Sequence, residues 1–281
     1  MAATAPEFAG KPVADFRVYD AVGSVRDHYQ QMRSNQSLAF SRRMAAKWGA
    51  FGSRPNSRMT VKQALHACDS FVDRSDPDIS LPNSIHMLQA AEACRAAGKP
   101  EWFQLVALLH DIGKAMYLWG SPEEGSGGKA TDPQWALGGD TWVVGAPIPD
   151  CAVYAELNAL SPDAGAFAGP TGIHAPGCGI MNAEFAWGHD EYAYLWARHN
   201  KVALPAEGLA ILRLHSCYPW RAWVGRRHTI DAAATPLPPL SLTQIADAPP
   251  RTPLADTGKA YRELMAPGDE ALEAAVIDFN K

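Results

Sequence analysis

The sequence predicts an all-α protein carrying at most one short β-hairpin, and three observations lead there. Apolar residues recur at intervals of three and four in several segments of helix length, the period of a half-buried helix. Those segments open and close on residues that start and stop helices. Runs suited to strands are confined to Trp142-Val143-Val144 and Ala152-Val153-Tyr154, with Pro147 and Pro149 between them, and their pairing is the only sheet expected. A chain of 281 residues, 47% hydrophobic and 20% charged with nine tryptophans, has the composition of a folded globular protein and the length to bury a full core.

Residues 1–15 are rich in Ala and Pro and are expected to be flexible, order beginning near Phe16 and residues 16–281 forming one domain. The first helix the pattern assigns starts at Thr60, a capping hydroxyl, and carries Val61, Ala64, Leu65, Cys68 and Phe71 or Val72 at helical spacing. It ends in the acidic run from Asp73 to Asp78, where Pro77 helps to stop it. The next runs from about Ser84 to Gly98, with His86 in its first turn and the glycine before Lys99-Pro100 as its stop. A third, from about Trp102 to Met116, has Leu105, Val106, Leu108, Leu109 and Ile112 and reads as apolar nearly all round, the pattern of a central buried helix. Residues 120–139 are rich in Gly, Ser and Pro and read as loop. Two more helices follow, roughly Asn182 to His199 and Pro205 to Ser216. Residues 232–253 hold too many prolines for a helix interior and are expected to be an extended surface segment within the domain. A last helix from Thr257 to Met265, or a tail wrapped on the body, closes the chain.

Charge and composition remove several function classes. A formal charge of -5 offers no basic field for nucleic acid or an anionic membrane. The first residues lack a basic start and an apolar core, and no stretch approaches the ~20 apolar residues of a membrane helix, so a cytoplasmic protein is expected. The five cysteines are scattered without a CxxC pair and read as reduced thiols, Cys68 and Cys94 as small buried residues.

What remains is a constellation of histidines. His86, His110, His189 and His215 each fall on an expected helix, and Asp111 directly follows His110. A lone buried histidine is usually a hydrogen-bonded core residue. Here, however, the His110-Asp111 pair sits in an apolar segment, where a carboxylate is uncompensated unless a metal or cation meets it. Four imidazoles and a shared carboxylate exceed the needs of one ion and point to two metals, and a donor set without thiolate suits iron or manganese.

The stretch Leu108-Leu109-His110-Asp111-Ile112-Gly113-Lys114 resembles the core of the HD-domain superfamily, helical proteins whose His-Asp pair holds metal. Three further segments narrow the match: Phe71-Val72-Asp73-Arg74-Ser75-Asp76-Pro77-Asp78, Pro82-Asn83-Ser84-Ile85-His86 and Trp187-Gly188-His189-Asp190-Glu191-Tyr192. With Leu214-His215-Ser216-Cys217-Tyr218-Pro219-Trp220 they are similar to the inositol oxygenase family, from about Phe16 to Trp220. The resemblance implies an HD-domain helical bundle and a cofactor of two iron ions in the mixed-valent Fe(II)/Fe(III) state. It also implies a dioxygen-dependent opening of the myo-inositol ring to D-glucuronate, a step of inositol catabolism. By the same resemblance His86, His110 and Asp111 hold one iron with a later aspartate, while His189, His215 and Asp111 hold the other. Asp256, in Leu254-Ala255-Asp256-Thr257-Gly258-Lys259, has the best local context for the last ligand, with Asp231 and Asp247 as competitors.

Asp111 and Lys114 are the catalytic residues so implied. Arg17, Asp73, Arg74, Ser75, Lys114, Gly139, Asp140, His215 and Ser216 are the implied substrate contacts. The partners implied are a small polyol and dioxygen, with no nucleic acid, no membrane and a monomeric protein. Plainer readings stand beside these. Asp73, Asp76 and Asp78 equally suit a solvated helix end, Lys114 could simply pair with Asp111, and Gly138-Gly139-Asp140-Thr141 has the composition of a tight turn. Tyr29 suits helix packing better than a lid over the site. The rival functions are an HD-type metal-dependent phosphohydrolase, a di-iron oxygenase acting on another diol or amino alcohol, and a non-catalytic sensor.

Overall fold

The computed structural model describes residue 19, residues 23–52, 57–76, 82–129 and 131–219, and the backbone of 276–278. The first fifteen residues, Phe16, Arg17, Pro77, Asp78, Trp220, the segment 232–253, the helix expected over 257–265 and the aspartates at 231, 247 and 256 lie outside the described residues.

Seven α-helices dominate what is described: α1 (Ser24–Asn35), α2 (Leu38–Gly49), α3 (Val61–Ala67), α4 (Asn83–Ala96), α5 (Glu101–Leu109), α6 (His189–His199) and α7 (Ala206–Leu214). The all-α expectation holds. The first two helices were not assigned from sequence, although Val25, Tyr29 and Met32 do stand at helical spacing and Ser37 accepts a capping hydrogen bond from the Phe40 amide. Thr60 caps α3 as expected, in a reciprocal box: the Gln63 amide donates to Thr60 Oγ1 at 3.0 Å and the Thr60 amide to Gln63 Oε1 at 2.8 Å.

The expected hairpin of 142–144 with 152–154 does not form. Val143 instead makes an isolated bridge with Phe185, and Ala155–Leu160 form a short 3-10 helix. The sheet among the described residues is β1 (Arg58–Thr60) antiparallel to β2 (Val276–Asp278), with Met59 opposite Ile277. Runs of three residues carry too little information to choose a partner, so distant segments decided the pairing.

Two antiparallel helical hairpins, α4 with α5 and α6 with α7, form the heart of the bundle. They are built alike. Beyond α4, Gly98 adopts φ +65 and the amides of Gly98 and Lys99 donate back to the Arg95 and Cys94 carbonyls. Beyond α6, Lys201 adopts φ 51 and the amides of Lys201 and Val202 donate back to the Arg198 and Ala197 carbonyls. Both are Schellman ends, and Pro100 and Pro205 then cap the second helix of each pair.

The helix expected from Trp102 to Met116 is broken at the site. The α-helix stops at Leu109, His110 and Asp111 turn, and Ile112–Leu118 continues as 3-10 helix. Close packing goes with the tightening: a Cβ on Gly113 would lie 2.0 Å from the His189 carbonyl oxygen, so this turn runs directly against the start of α6. Nor is α5 buried all round, since its apolar Leu105 is 45% exposed. The helix expected from Asn182 begins only at His189, because Phe185 is held extended by its bridge to Val143. One apolar cluster gathers Trp48, Met87, Ile112, Trp187 and Tyr192, and a second Phe103, Val106, Phe185, Ile211 and Leu214. Cys68 and Cys94 are buried as expected.

Lys201 is one of two non-glycine residues with positive φ among those described. Lys201→Gly is expected to raise the free energy of unfolding by about 1 kcal/mol, and Gly98→Ala to lower it by a similar amount, both read from urea denaturation midpoints.

Candidate metal centre

The two hairpins place their histidines by one rule. In an antiparallel pair the start of the first helix lies beside the end of the second. His86 is in the first turn of α4 and His110 caps the end of α5, while His189 begins α6 and His215 caps the end of α7. The Nε2 atoms of His86 and His110 are 3.2 Å apart, and those of His189 and His215 2.8 Å.

Backbone carbonyls orient the rings. His110 Nδ1 donates to the Ala107 carbonyl at 2.7 Å and His215 Nδ1 to that of Leu212 at 3.0 Å, each using an acceptor that a helix end leaves open. His189 Nδ1 donates to the Leu137 carbonyl. Carbonyls only accept, so these Nδ1 atoms carry the protons and the Nε2 atoms are bare in the neutral rings. Burial lowers the His215 pKa to about 3, which keeps that ring neutral. Two bare lone pairs 2.8 Å apart repel unless a shared cation lies between them. Cis ligands on metal bonds of ~2.1 Å stand about 3 Å apart, the separation seen in both pairs.

Asp111 lies between the pairs. Its Oδ1 is 2.9 Å from His189 Nε2 and 3.6 Å from His215 Nε2, and its Oδ2 is 3.4 Å from His110 Nε2 and 3.8 Å from His86 Nε2. Each carboxylate oxygen therefore faces one pair, and the residues divide into His86, His110, Asp111 and Asp111, His189, His215. The donor set fits two metal ions bridged by one carboxylate, with imidazole and carboxylate donors appropriate to iron.

Lys114 governs the charge. Its Nζ donates to Asp111 Oδ2 at 2.9 Å, Asp73 Oδ2 at 2.8 Å and Asn83 Oδ1 at 3.0 Å. Burial alone would lower its pKa, but Asp111 and Asp73 raise it above the ordinary lysine range. Burial would likewise raise the carboxyl of Asp73, and Lys114 with Ser75 brings it below the ordinary range instead. For Asp111 burial is opposed by His110 and Lys114, and it too falls well below. The 3-10 turn matters here, because residues three apart eclipse and Lys114 is brought over Asp111.

The cavity over the candidate metal centre is lined by Asp73, Ser75, Lys114, Gly139, His215 and Ser216 of the expected contacts. Gly139 has φ +114, and a Cβ there would lie 2.9 Å from Met32 Sδ, so only glycine suits the turn. Two expected contacts point elsewhere. Arg74 Nη1 donates to the Asp132 carbonyl at 3.3 Å. Asp140 is fully buried, accepts from the Val153 and Tyr218 amides at 2.9 and 3.1 Å, and stands 4.0 Å from Arg33. The Asp140 carboxylate thus ties α1 to the loop at 153 and the end of the site. Asn83, Asp76 and Tyr218 line the cavity without having been assigned from sequence. Asn83 had a legible signal, since it stands three residues before His86 on the same face of α4. Tyr29, 1% exposed, packs edge-on against Tyr19 and beside Tyr154, as the plainer reading had it.

A helical scaffold with two histidine pairs about one carboxylate defines a candidate metal-binding protein of the His/Asp type. Sequence comparison narrows that class. The family model of myo-inositol oxygenase matches residues 22–233. The inositol oxygenase of Mus musculus is 38% identical over 223 residues, covering 76% of this chain and 73% of its own. That of Homo sapiens is 38% identical over 284 residues, 98% of this chain and 82% of its own, and the probable inositol oxygenase of Oryza sativa subsp. japonica is 36% identical over 214 residues, 73% and 65%. The chain belongs to the inositol oxygenase family.

Removing Lys114 tests its electrostatic role. Asp73 and Asp111, with depressed pKa values, contribute stability above the unfolded value of 3.8 that is lost as pH falls through their folded values. In Lys114→Met burial instead raises both carboxyls, and the penalty grows with pH. The metal-free variant is expected to be less stable than the metal-free parent by about 3–5 kcal/mol near pH 8, with the gap narrowing toward pH 5, as chemical denaturation across that range would show.

Proposed function

We propose that the protein is a di-iron oxygenase that cleaves the ring of myo-inositol with dioxygen to give D-glucuronate. The observation that carries this reading is the Asp111 carboxylate lying with one oxygen toward each histidine pair. In the reading proposed, His86, His110 and Asp111 hold one iron together with Asp256, and His189, His215 and Asp111 hold the other. Bound iron in the mixed-valent state would supply Lewis acidity toward a vicinal diol and a place to activate dioxygen, while the four electrons that reduce dioxygen come from the inositol, one oxygen atom entering the product and the other leaving as water.

The chain's own residues supply the rest. Carbonyl-bonded Nδ1 atoms present bare Nε2 donors, so no proton is displaced from these rings on binding. Lys114 keeps its proton beside the site and holds Asp111 and Asp73 in their charged forms. Asp73, Ser75, Gly139, Ser216 and, from outside the described residues, Arg17 are the substrate contacts proposed for the ring hydroxyls. Burial of Asp111, Lys114 and His189 keeps bulk water from the ligand oxygens.

The phosphohydrolase alternative needs side-chain cations beside the metals to hold a phosphate. Among the described residues lining the cavity, the lysine or arginine present is Lys114, and it already stands against two carboxylates. No described helix is long and apolar enough to cross a membrane.

Iron-loaded, partly reduced protein is expected to consume dioxygen with myo-inositol and release glucuronate in equal amount. Consumption without glucuronate would reject the ring cleavage. Ferrous iron titrated into the metal-free protein is expected to bind at two equivalents, falling to about one in His189→Ala. An unchanged stoichiometry, read by elemental analysis after desalting, would reject the assignment of that pair.

A further inference from the structure

Of the unassigned polar side chains in the cavity wall, Asn83 is the one whose surroundings define a role. Asn83 begins α4, is 3% exposed and lines the cavity over the candidate metal centre. Its Oδ1 accepts from Lys114 Nζ at 3.0 Å. This contact settles the orientation of the amide, because an ammonium only donates and the oxygen must face it. The NH₂ group is therefore turned from Lys114, and Nδ2 is buried without a hydrogen-bond partner among the described residues. A buried amide donor without an acceptor costs ~1–3 kcal/mol, and a cavity wall that retains one invites an acceptor from a ligand.

Lys114 makes the point sharper. An ammonium has three donors, and Asp73, Asn83 and Asp111 accept from this one. In this corner of the cavity the donor that remains unspent belongs to Asn83.

The neighbours define the acceptor. Asp73 and Asp76, which are outside the proposed metal ligands, line the same cavity, so an anionic acceptor at this wall is opposed by two carboxylates. A hydroxyl is neutral, accepts from the amide and can donate in turn to a carboxylate oxygen. We propose that Asn83 is a substrate-binding residue whose Oδ1 holds the Lys114 ammonium while its Nδ2 donates to one hydroxyl oxygen of the bound cyclitol, selecting for a hydroxyl at that ring position. The inference rests on the polyol reading of the site and deepens it.

The test is calorimetric titration of the iron-loaded, full-length protein with myo-inositol and the set of single-deoxy inositols. Parent, Asn83→Ala and Asn83→Asp are compared, with bound iron measured for each. Asn83→Asp keeps an oxygen for Lys114 and lacks the donor, so it reports on the hydrogen bond even if the alanine variant folds poorly. Myo-inositol is expected to bind both variants about tenfold more weakly, the worth of one hydrogen bond, with KM rising more than kcat falls. One deoxy inositol is expected to bind the parent about tenfold more weakly than myo-inositol does and to lose that penalty in both variants. Unaltered binding of myo-inositol, or a deoxy penalty that persists in the variants, overturns the role of Asn83 alone. Parent protein that holds its iron and binds no cyclitol overturns the polyol reading and this inference with it.

Discussion

The buried carboxylate of Asp111 is the constraint around which the described structure is arranged. An ionised carboxylate taken from water loses several kcal/mol of hydration even after relaxation, and among the groups around it the Lys114 ammonium supplies the donor that answers that loss, the bare Nε2 atoms being of use to the anion once a cation joins them. One oxygen faces His189 and His215, the other His86, His110 and Lys114. Those five groups come from both helical hairpins and the 3-10 turn between Ile112 and Leu118. The break in helix geometry after Leu109, the bare Cα of Gly113 against the His189 carbonyl and the placement of Lys114 three residues on all serve that single anion.

The hairpins explain how four histidines from separate helices meet. Each pair uses a helix start and a neighbouring helix end, so convergence follows from the antiparallel packing itself. The Schellman ends at Gly98 and Lys201 and the capping prolines at 100 and 205 set the chain reversals alike in the two pairs. Open carbonyls at the ends of α5 and α7 then orient two of the rings, so that a group usually left to water fixes a ligand's tautomer. A further clamp belongs to the second hairpin. Arg213 donates from Nε to Glu191 at 2.7 Å, joining a residue two before His215 to one two after His189. Removing one partner of such a buried pair leaves a charge in the core, which makes this hairpin end rigid whether or not metal is bound.

The charge pattern of the cavity bears on its chemistry. Lys114 brings one positive charge against Asp73 and Asp111, which leaves the wall acidic before metal enters. Such a wall favours cations and neutral hydroxylated ligands over phosphates. The family's polyol chemistry and the local electrostatics therefore agree, although they come from independent observations.

Much of this was legible in the order of residues. The all-α class followed from apolar spacing and stop signals, and the cap at Thr60 and the end near Gly98 fell where local chemistry put them. The histidines and Asp111 were recognisable because so many donors in apolar segments make little sense without metal. Other features depended on contacts between distant segments. The strand pairing of 58–60 with 276–278, the bridge of Val143 to Phe185, the late start of α6 and the 3-10 turn after Asp111 were settled by packing, against which a few residues of local preference weigh little. The same holds for Asp140, a substrate contact implied by the family resemblance, whose carboxylate is joined by packing to Arg33 and two backbone amides. Sequence by itself determined which residues are candidates for the chemistry, because donor types and their spacing are local facts. Tertiary structure decided which way each side chain faces, because only the packed neighbours determine where a buried charge or amide finds its partner.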